Sequence, residues 1–469
     1  MPASLALILW FVLLVVLAWR DPAKDASASA PLWVPAIWMF ICGSRLPSQW
    51  LAGSHLRLAS GNLEEGNPLD RTIFFVLILL AIGILISRSF RWGNFFARNA
   101  ALMAFLSFAL LSVFWSDFPL IAFRRWYRDL GNYLMILVAL SDPHPLDALR
   151  TLIRRVCYLL IPLSVTLIKY FPDIGRGYSA WTGAPNYSGA TSGKDSLGAL
   201  CMLSILFFFW DTATRWSRRK ERRTKKIILV NLAFIGMSLW MLNLSNCATC
   251  RVCLPLGCLV VLAARTNWAQ RHPIQLKWLL PLGLTLCAIA VYSFNLVDQA
   301  AQAVGRDSTF TGRTELWQDI FGMKTNPIVG TGYESFWLGP RLLYLWERNP
   351  WQPNQAHNGY LEVYINLGLI GLVLICGFLI LSYGSICRKL RTAPNFASLG
   401  LALWTILVVD NLTSASLGKG DLLWMTYLLA GIPSVKVMED RAAAVAASDN
   451  LDEVRSLPKR PLETVSQRR

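Results

Sequence analysis

The chain has 469 residues, of which 54% are apolar and only 16% charged, with a mean hydropathy of +0.42 and a formal net charge of +17. Soluble domains carry about 25% charged residues, whereas here apolar runs of membrane-span length recur along the chain. This pattern excludes a soluble enzyme, a disordered chain and a fibre. It predicts an all-α, polytopic transmembrane helical bundle, because helices satisfy their own backbone hydrogen bonds in lipid.

Apolar runs predict about 12–13 membrane spans. Several are short for a hydrocarbon core of about 30 Å, so we expect these to be tilted, broken or buried within the bundle. The first run has no basic residue among residues 1–9, and we interpret it as a retained helix rather than a signal peptide. In chain order the runs lie near 4–19, 30–44, 72–87, 100–116, 121–140, 155–170, 196–210, 227–245, 252–264, 278–296, 359–386, 397–411 and 421–435.

The charge of the loops predicts their sidedness. The segment 211–226 holds eight basic and two acidic residues between two apolar runs, which is typical of a cytoplasmic loop. If this loop lies inside, alternation places 29 of the 45 Lys and Arg residues, and the whole net charge of +17, on the cytoplasmic side. A nucleic-acid partner is then unnecessary. The inside segments are 20–29, 88–99, 141–155, 211–226, 265–277, 387–396 and 436–469.

The long polar segments fall on the opposite, outer side, which is where we expect the functional site. They are 45–71, 171–195 and 297–358. The chain therefore divides into an N-terminal transmembrane bundle over 1–296, an outer catalytic loop over 297–358, C-terminal transmembrane helices over 359–435 and a disordered cytoplasmic tail over 436–469.

Five patches at the predicted outer face follow one another in a characteristic order. They read WSDFPLIAFRRWYRDLGNYL (115–134), TSGKDSLGAL (191–200), GRTELWQDIF (312–321), NPIVGTGYESFW (326–337) and AHNGYLEVYINLGLIGLVL (356–374). In this order they resemble the O-antigen ligase / O-antigen polymerase superfamily of polytopic membrane glycosyltransferases. The resemblance covers about 110–400, and Gly193 and Asp195 depart from the family's Gly-x-Lys-Asn-x-Leu-Gly element.

The resemblance implies a GT-C-like architecture in the bacterial inner membrane, with an active site that faces the periplasm. It implies transfer of a glycan from undecaprenyl pyrophosphate to an acceptor hydroxyl, with inversion at the anomeric carbon and without a metal or other cofactor. The expected partners are the lipid-linked oligosaccharide donor, a glycan or lipid-core acceptor and the bilayer. A chain-length regulator or a flippase is a further candidate partner.

Two residues are expected to carry the catalysis. Arg313 follows a glycine, and because a guanidinium binds phosphate oxygens bidentately and stays charged, we predict that it clamps the pyrophosphate. The alternative is an ion pair with Glu315 or Asp319. His357 lies in a family motif before a membrane helix, whose N-terminus disfavours the imidazolium, so we predict a general base. The alternative is an ordinary polar residue of the helix cap.

Three arginines lie at the outer end of the predicted helix 121–140. Arg124 and Arg128 are four residues apart and share a helix face. Asp129 can pair with Arg125, which would leave Arg124 and Arg128 for the pyrophosphate. The alternative is that these side chains reach the lipid headgroups.

The remaining candidates carry weaker signals. Lys194 and Arg176 flank the segment 171–195 and could add charge for the phosphates, while Tyr333 and Glu315 could hold the acceptor or orient His357. The tryptophans of the outer loop could stack on sugar rings or form an aromatic belt at the interface. They are Trp317, Trp337, Trp346 and Trp351.

The cysteines Cys247, Cys250 and Cys253 are spaced as in part of a zinc or iron–sulfur site. The fourth cysteine, Cys258, follows at a different spacing, and no outer cluster of acids has metal-site spacing. We therefore predict small residues that pack helices together rather than metal ligands.

The acceptor stays open at this point. A polymerase uses another lipid-linked repeat unit, a ligase uses a lipid core, and a protein O-oligosaccharyltransferase uses Ser or Thr. A transporter or lipid flippase is the alternative from another class, and it would predict inverted repeats and ionisable residues near the midplane. A purely structural scaffold is the remaining alternative.

Overall fold

The chain folds as a bundle of α-helices. The computed structural model describes residues 2–19, 30–52, 66–178, 183, 185–293, 312–349 and 351–432. The predicted tail 436–469 and the first part of the predicted outer loop, 297–311, lie outside the described residues.

The described helices, in chain order, are α1 (Ala3–Trp19), α2 (Trp33–Cys42), α3 (Pro47–Ala52), α4 (Pro68–Ser87), α5 (Trp92–Arg98), α6 (Ala100–Leu111), α7 (Pro119–Leu140), α8 (Pro145–Tyr170), α9 (Pro172–Gly175), α10 (Lys194–Arg215), α11 (Arg222–Ser245), α12 (Ala248–Ala264), α13 (Asn267–Arg271), α14 (Pro273–Ser293), α15 (Arg313–Gly322), α16 (Gly339–Arg348), α17 (Gly359–Arg388), α18 (Pro394–Asp410) and α19 (Leu422–Gly431). Between α9 and α10, β1 (Arg176–Tyr178) and β2 (Pro185–Tyr187) form an antiparallel pair in which Arg176 faces Tyr187. Short 3₁₀ turns cover Ala30–Leu32, Ser112–Trp115, Trp216–Arg218 and Lys389–Arg391.

Each of the thirteen predicted apolar runs coincides with a helix. Among the described residues, α4, α8, α10, α11 and α17 are long and apolar enough to cross a membrane, and the bent pair of α5 and α6, with 94° between its halves, would make a sixth span. Several of the other runs form apolar helices of ten to seventeen residues. The predicted all-α polytopic fold is therefore confirmed.

Burial separates central helices from peripheral ones. In the apolar windows of α8 and α10, 83% and 72% of the residues are buried, against 33% in α4 and in α11. The peripheral helices expose large apolar side chains such as Phe75 and Leu229. Exposed apolar faces of this kind are typical of helices that contact lipid.

The loops form two sets, each joined by its own polar contacts. One set, called the basic end, contains the ion pairs Arg88–Asp142 and Arg154–Asp211, both at 3.2 Å, in segments that charge places inside. The other set, called the motif end, contains the pairs of Arg341 with Asp117 and of Lys419 with Glu362. A 26-residue helix such as α8 is about 39 Å long, so its two ends are well separated. This grouping agrees with the predicted alternation of loops.

Helix α17 is interrupted at Gly368, which has a φ of +64°. The loop 327–332 replaces the missing helical hydrogen bonds, as two of its amides donate to carbonyls before the break and two of its carbonyls accept from amides after it. The four N–O distances are 2.9 to 3.1 Å, for the pairs Thr331–Ile365, Gly332–Asn366, Leu369–Pro327 and Ile370–Ile328. A broken helix persists in a membrane protein when the protein itself satisfies the freed backbone groups.

The described part of the outer loop, 312–358, has a hydrophobic core of its own. Its helices α15 and α16 pack through buried apolar side chains onto the beginning of α17. This core fixes the positions of the polar side chains that follow. Its buried members are Leu316, Ile320, Phe336, Trp337, Leu342, Leu345, Ala356 and Ile365.

Candidate active site

The sequence patches that are distant along the chain meet at the motif end. The Ser116 hydroxyl lies 2.6 Å from the Ser335 hydroxyl, and the Trp115 indole donates to the Val329 carbonyl at 3.2 Å. Gly332 has a φ of +98°, and a Cβ there would lie 2.6 Å from that of Ser116. The patch 115–119 therefore docks directly on the patch 326–337, and glycine is needed where they touch.

The contact between these patches places Tyr333 against α7. Tyr333 is buried, and its hydroxyl donates to Asp129 Oδ2 at 3.1 Å and lies 3.3 Å from the Gly418 carbonyl oxygen. The same carboxylate accepts from Arg128, at 3.1 Å to Oδ1. Tyr333 therefore has a structural role in holding the 326–337 patch to α7, whether or not it also meets the acceptor.

The predicted pairing on α7 was wrong. Asp129 pairs with its neighbour Arg128, and Arg125 donates instead to the Glu334 carbonyl. The expected pair of Arg125 and Asp129, four residues apart on one helix, does not form because the docked loop 326–337 places a carbonyl acceptor next to Arg125. Arg124 is exposed and forms no hydrogen bond or ion pair with the part of the chain that the structure describes.

An ion-pair triad of one buried and two half-buried side chains lies beside this region. Lys419 Nζ lies 3.2 Å from Glu334 Oε1 and 2.9 Å from Glu362 Oε1. Although burial opposes it, the two carboxylates raise the pKa of Lys419, so the ammonium stays charged. Burial likewise opposes ionisation of Glu334, but the charges of Lys419 and Arg125 lower the pKa of its carboxyl. Lys419 and Glu334 are thus held in their charged forms.

The triad also fixes the backbone at His357. Glu362 Oε2 accepts from the Ala356 amide at 2.8 Å, and Trp317 donates to the Ala356 carbonyl at 2.8 Å. On the other side of His357, the Asn358 side chain caps α17 by accepting from two backbone amides. His357 itself has a φ of +50°, and its ring centroid lies 5.5 Å from that of Trp351. Its backbone is therefore held from both directions.

The imidazole of His357 is neutral near pH 7. Burial, assisted by the nearby charges of Arg313 and Lys419 and opposed by Asp195, lowers its pKa to about 4. The predicted direction of the shift is found, but burial rather than the helix terminus is its leading cause. A neutral imidazole can accept a proton, as a general base must.

Arg313 begins α15 directly after Gly312, which has a φ of +78°. Its guanidinium donates to the Thr413 carbonyl at 3.0 Å. Among the described residues no carboxylate lies within ion-pair distance of it, and Asp319, one of the two predicted alternatives, pairs with Arg348 at 2.8 Å. Burial lowers the pKa of Arg313. This direction is expected for a half-buried cation that has no close anionic partner.

The other candidates differ in their surroundings. Lys194 and Glu315 are exposed, at the starts of α10 and α15. Arg176 donates to the Ile168 carbonyl at 2.8 Å and lies over the Tyr187 ring, so it holds the hairpin to α8. The indole N–H groups of three tryptophans are bonded inside the protein, namely those of Trp317, Trp337 and Trp346.

Comparison with known proteins supports the resemblance that the sequence motifs indicate. Residues 232–376 match a family model described as O-antigen ligase. The chain is also 28% identical over 309 residues to the exopolysaccharide production protein ExoQ of Rhizobium meliloti (strain 1021), an alignment that covers 64% of this chain and 67% of that protein. The resemblance to the O-antigen ligase superfamily is confirmed. It supports a multi-pass membrane enzyme of the glycosyltransferase type, with a lipid-linked glycan donor and a glycan acceptor.

The O-antigen ligase match covers only part of the site. Arg313, Tyr333 and His357 lie within the matched residues, whereas Arg128 and Lys419 lie outside them. In the fold, Arg128 and Lys419 nevertheless lie next to the matched segments, through Asp129 and Glu334 respectively.

Sequence reasoning missed Lys419, Glu334 and Glu362. Lys419 stands in a short polar turn, 57 residues from Glu362 along the chain. One signal was available, because Glu362 is an acidic residue inside the apolar run 359–386, and such a residue must be partnered.

Proposed function

We propose that this protein is a glycosyltransferase that moves a polyprenyl-pyrophosphate-linked glycan to an acceptor hydroxyl at the outer face of the bacterial inner membrane. One observation carries the proposal. A neutral imidazole, His357, lies within electrostatic range of Arg313, a cation without a carboxylate partner among the described residues, and both belong to segments that match the O-antigen ligase model. A base and a phosphate-binding cation are what glycosyl transfer from a pyrophosphate requires.

In the proposed reaction, His357 takes the proton of the acceptor hydroxyl as the oxygen attacks the anomeric carbon of the donor. The bond between that carbon and the pyrophosphate oxygen breaks, and polyprenyl pyrophosphate leaves with the electron pair. Attack from the face opposite the leaving group inverts the anomeric centre. Arg313 offsets the charge that develops on the leaving group.

The other cations are less available for the pyrophosphate. Arg128 and Lys419 already have carboxylate partners. Arg124, which is exposed at the same end of α7, is the better second cation for the phosphates.

We propose a polymerase in preference to a lipid-core ligase. The aligned relative is named for exopolysaccharide production, and the alignment covers 67% of it. An exopolysaccharide grows by transfer of a chain to another lipid-linked repeat unit, so both substrates would carry a polyprenyl pyrophosphate. Transfer to protein Ser or Thr is the remaining alternative.

The test is a transfer assay with purified protein in detergent. The host's lipid-linked oligosaccharide is supplied alone or with a lipid-core acceptor. A ladder of products from the lipid-linked substrate alone, lost in His357→Ala, is the expected result. Product only when the core is present would identify a ligase, and absence of transfer in both arms would contradict glycosyl transfer to a glycan.

A further inference from the structure

Two cysteines lie against each other beside the site, and the proposed reaction does not use them. Cys247 is the N-cap residue of α12, and Cys250 lies in the first turn of that helix. Their Sγ atoms are 3.0 Å apart, and both residues are buried. Gly198 of α10 makes room for them, since a Cβ there would lie 2.6 Å from the Cys247 Cβ and 3.2 Å from the Cys250 Sγ.

We propose that Cys247 and Cys250 are a redox-active pair that closes to an intramolecular disulfide. The S–S bond length is about 2.0 Å, so closure needs a movement of about 1 Å between the sulfurs. A Cys-x-x-Cys segment that begins a helix is the arrangement in which the first thiolate is stabilised for exchange. The pKa of the Cys247 thiol is in fact lowered, above all by its hydrogen bond with Cys250.

The oxidant is a small-molecule disulfide such as oxidised glutathione. The Cys247 thiolate attacks one sulfur of that disulfide, which forms a mixed disulfide and expels one thiolate. Cys250 then loses its proton and attacks Cys247 Sγ, which expels the second thiolate. Two protein thiols are oxidised, and the oxidant is reduced to two thiols.

Closure would act on the anchor of Arg313. Thr249 lies between the two cysteines, and its hydroxyl lies 2.6 Å from that of Thr413. The Thr413 carbonyl is the acceptor for Arg313. The disulfide would stiffen the turn that carries this contact and would remove the negative charge of a Cys247 thiolate. This effect on Arg313 rests on the proposed function, whereas the disulfide itself does not.

Mass spectrometry of the full-length protein tests the pair. The protein is reduced, freed of reductant, incubated with oxidised glutathione, quenched with N-ethylmaleimide under denaturing conditions and digested with trypsin. Cleavage after Arg251 separates Cys247 and Cys250 from Cys253. The expected result is a peptide 227–251 that has lost two hydrogens and carries no maleimide, while Cys253 carries maleimide.

Variants make the test specific. In Cys250→Ser the exchange cannot be completed, so glutathione should accumulate on Cys247, and Cys253→Ser should behave as the wild type. Maleimide or glutathione on both cysteines of the wild type, or a Cys250–Cys253 link, would overturn the proposal. Dependence of the transfer rate on reductant, expected in Cys253→Ser and lost in Cys247→Ser, tests the link to Arg313 separately, and its absence would overturn that link alone.

Discussion

At the motif end, most charged side chains form ion pairs, whereas Arg313 and the neutral His357 do not. Lys419 lies between the carboxylates of Glu334 and Glu362, and Arg128 pairs with Asp129. Arg313 and the neutral His357 have no such partner among the described residues. A pyrophosphate would therefore add its charge where a cation is available, and the network would hold the backbone around the site.

The pKa of His357 predicts an unusual pH profile. With a pKa of about 4 in the free enzyme, kcat/KM should stay flat from neutral pH down to about 5 and fall at lower pH, where the base becomes protonated. Arg313→Gln removes a positive charge that lowers this pKa, so the falling limb should move to higher pH. Arg348→Gln, which breaks an exposed ion pair, is the control and should leave the limb in place. An unmoved limb in Arg313→Gln would contradict the electrostatic coupling.

Loss of Lys419 should destabilise the protein. Lys419→Met leaves the buried carboxylate of Glu362 without its cation, and breaking a buried ion pair costs roughly 3–5 kcal/mol. We expect a lower melting temperature in detergent and partial recovery in the double variant Lys419→Met/Glu362→Gln, which restores charge balance. Lys324→Met, at an exposed position, is the control. Equal melting temperatures for both single variants would show that the triad adds no stability.

The residue scale is where sequence reasoning was least complete. Arg313 and His357 could be predicted because they lie in linear motifs. Lys419 could not, since its partners are 57 and more residues away and their encounter depends on the fold. The pairing of Asp129 was mispredicted because a local helix rule cannot include a carbonyl supplied by a distant loop.

At the scale of elements, Gly368 allows α17 to be interrupted, because it adopts a φ of +64°. The apolar run 359–386 reads as one continuous helix, and nothing in its hydropathy marks an interruption. The break at Gly368 exists because the loop 327–332 supplies the missing hydrogen bonds. Apolar runs therefore predict where helices lie, but not where another segment enters them.

Gly368→Ala tests this arrangement. A Cβ at Gly368 would lie 2.2 Å from the backbone of Ile328, at a φ of +64° that costs a non-glycine residue about 1–3 kcal/mol. We expect the loop 327–332 to be displaced and both melting temperature and transfer activity to fall. Gly377→Ala in the same helix, where a Cβ meets no atom within 4 Å, should be tolerated. Equal behaviour of the two variants would contradict the docking of this loop.

At the scale of the whole molecule, the loops alternate between two ends of the helical bundle. Each end has its own network of ion pairs. The assignment of the basic end to the cytoplasm follows from charge. Charge sums over many loops are robust to errors in single boundaries, so they support a prediction of sidedness, whereas individual contacts depend on the fold.

Lysine labelling in intact cells checks the sidedness. An amine reagent that cannot cross the inner membrane, applied after the outer membrane is permeabilised, should modify Lys194 at the motif end and spare Lys220 at the basic end. Both are exposed in the fold. Lysis before labelling should make both reactive. Modification of Lys220 but not Lys194 in intact cells would reverse the orientation.

The most direct test of His357 as the general base is the rate of glycosyl transfer by His357→Ala in proteoliposomes, compared with the rate for His272→Ala. Both variants lose one imidazole, but His272 is exposed at the basic end. We expect a fall of roughly 10²–10⁴ in the rate for His357→Ala and an unchanged rate for His272→Ala. A correctly inserted His357→Ala protein with the wild-type rate would contradict the assignment of His357 as the base.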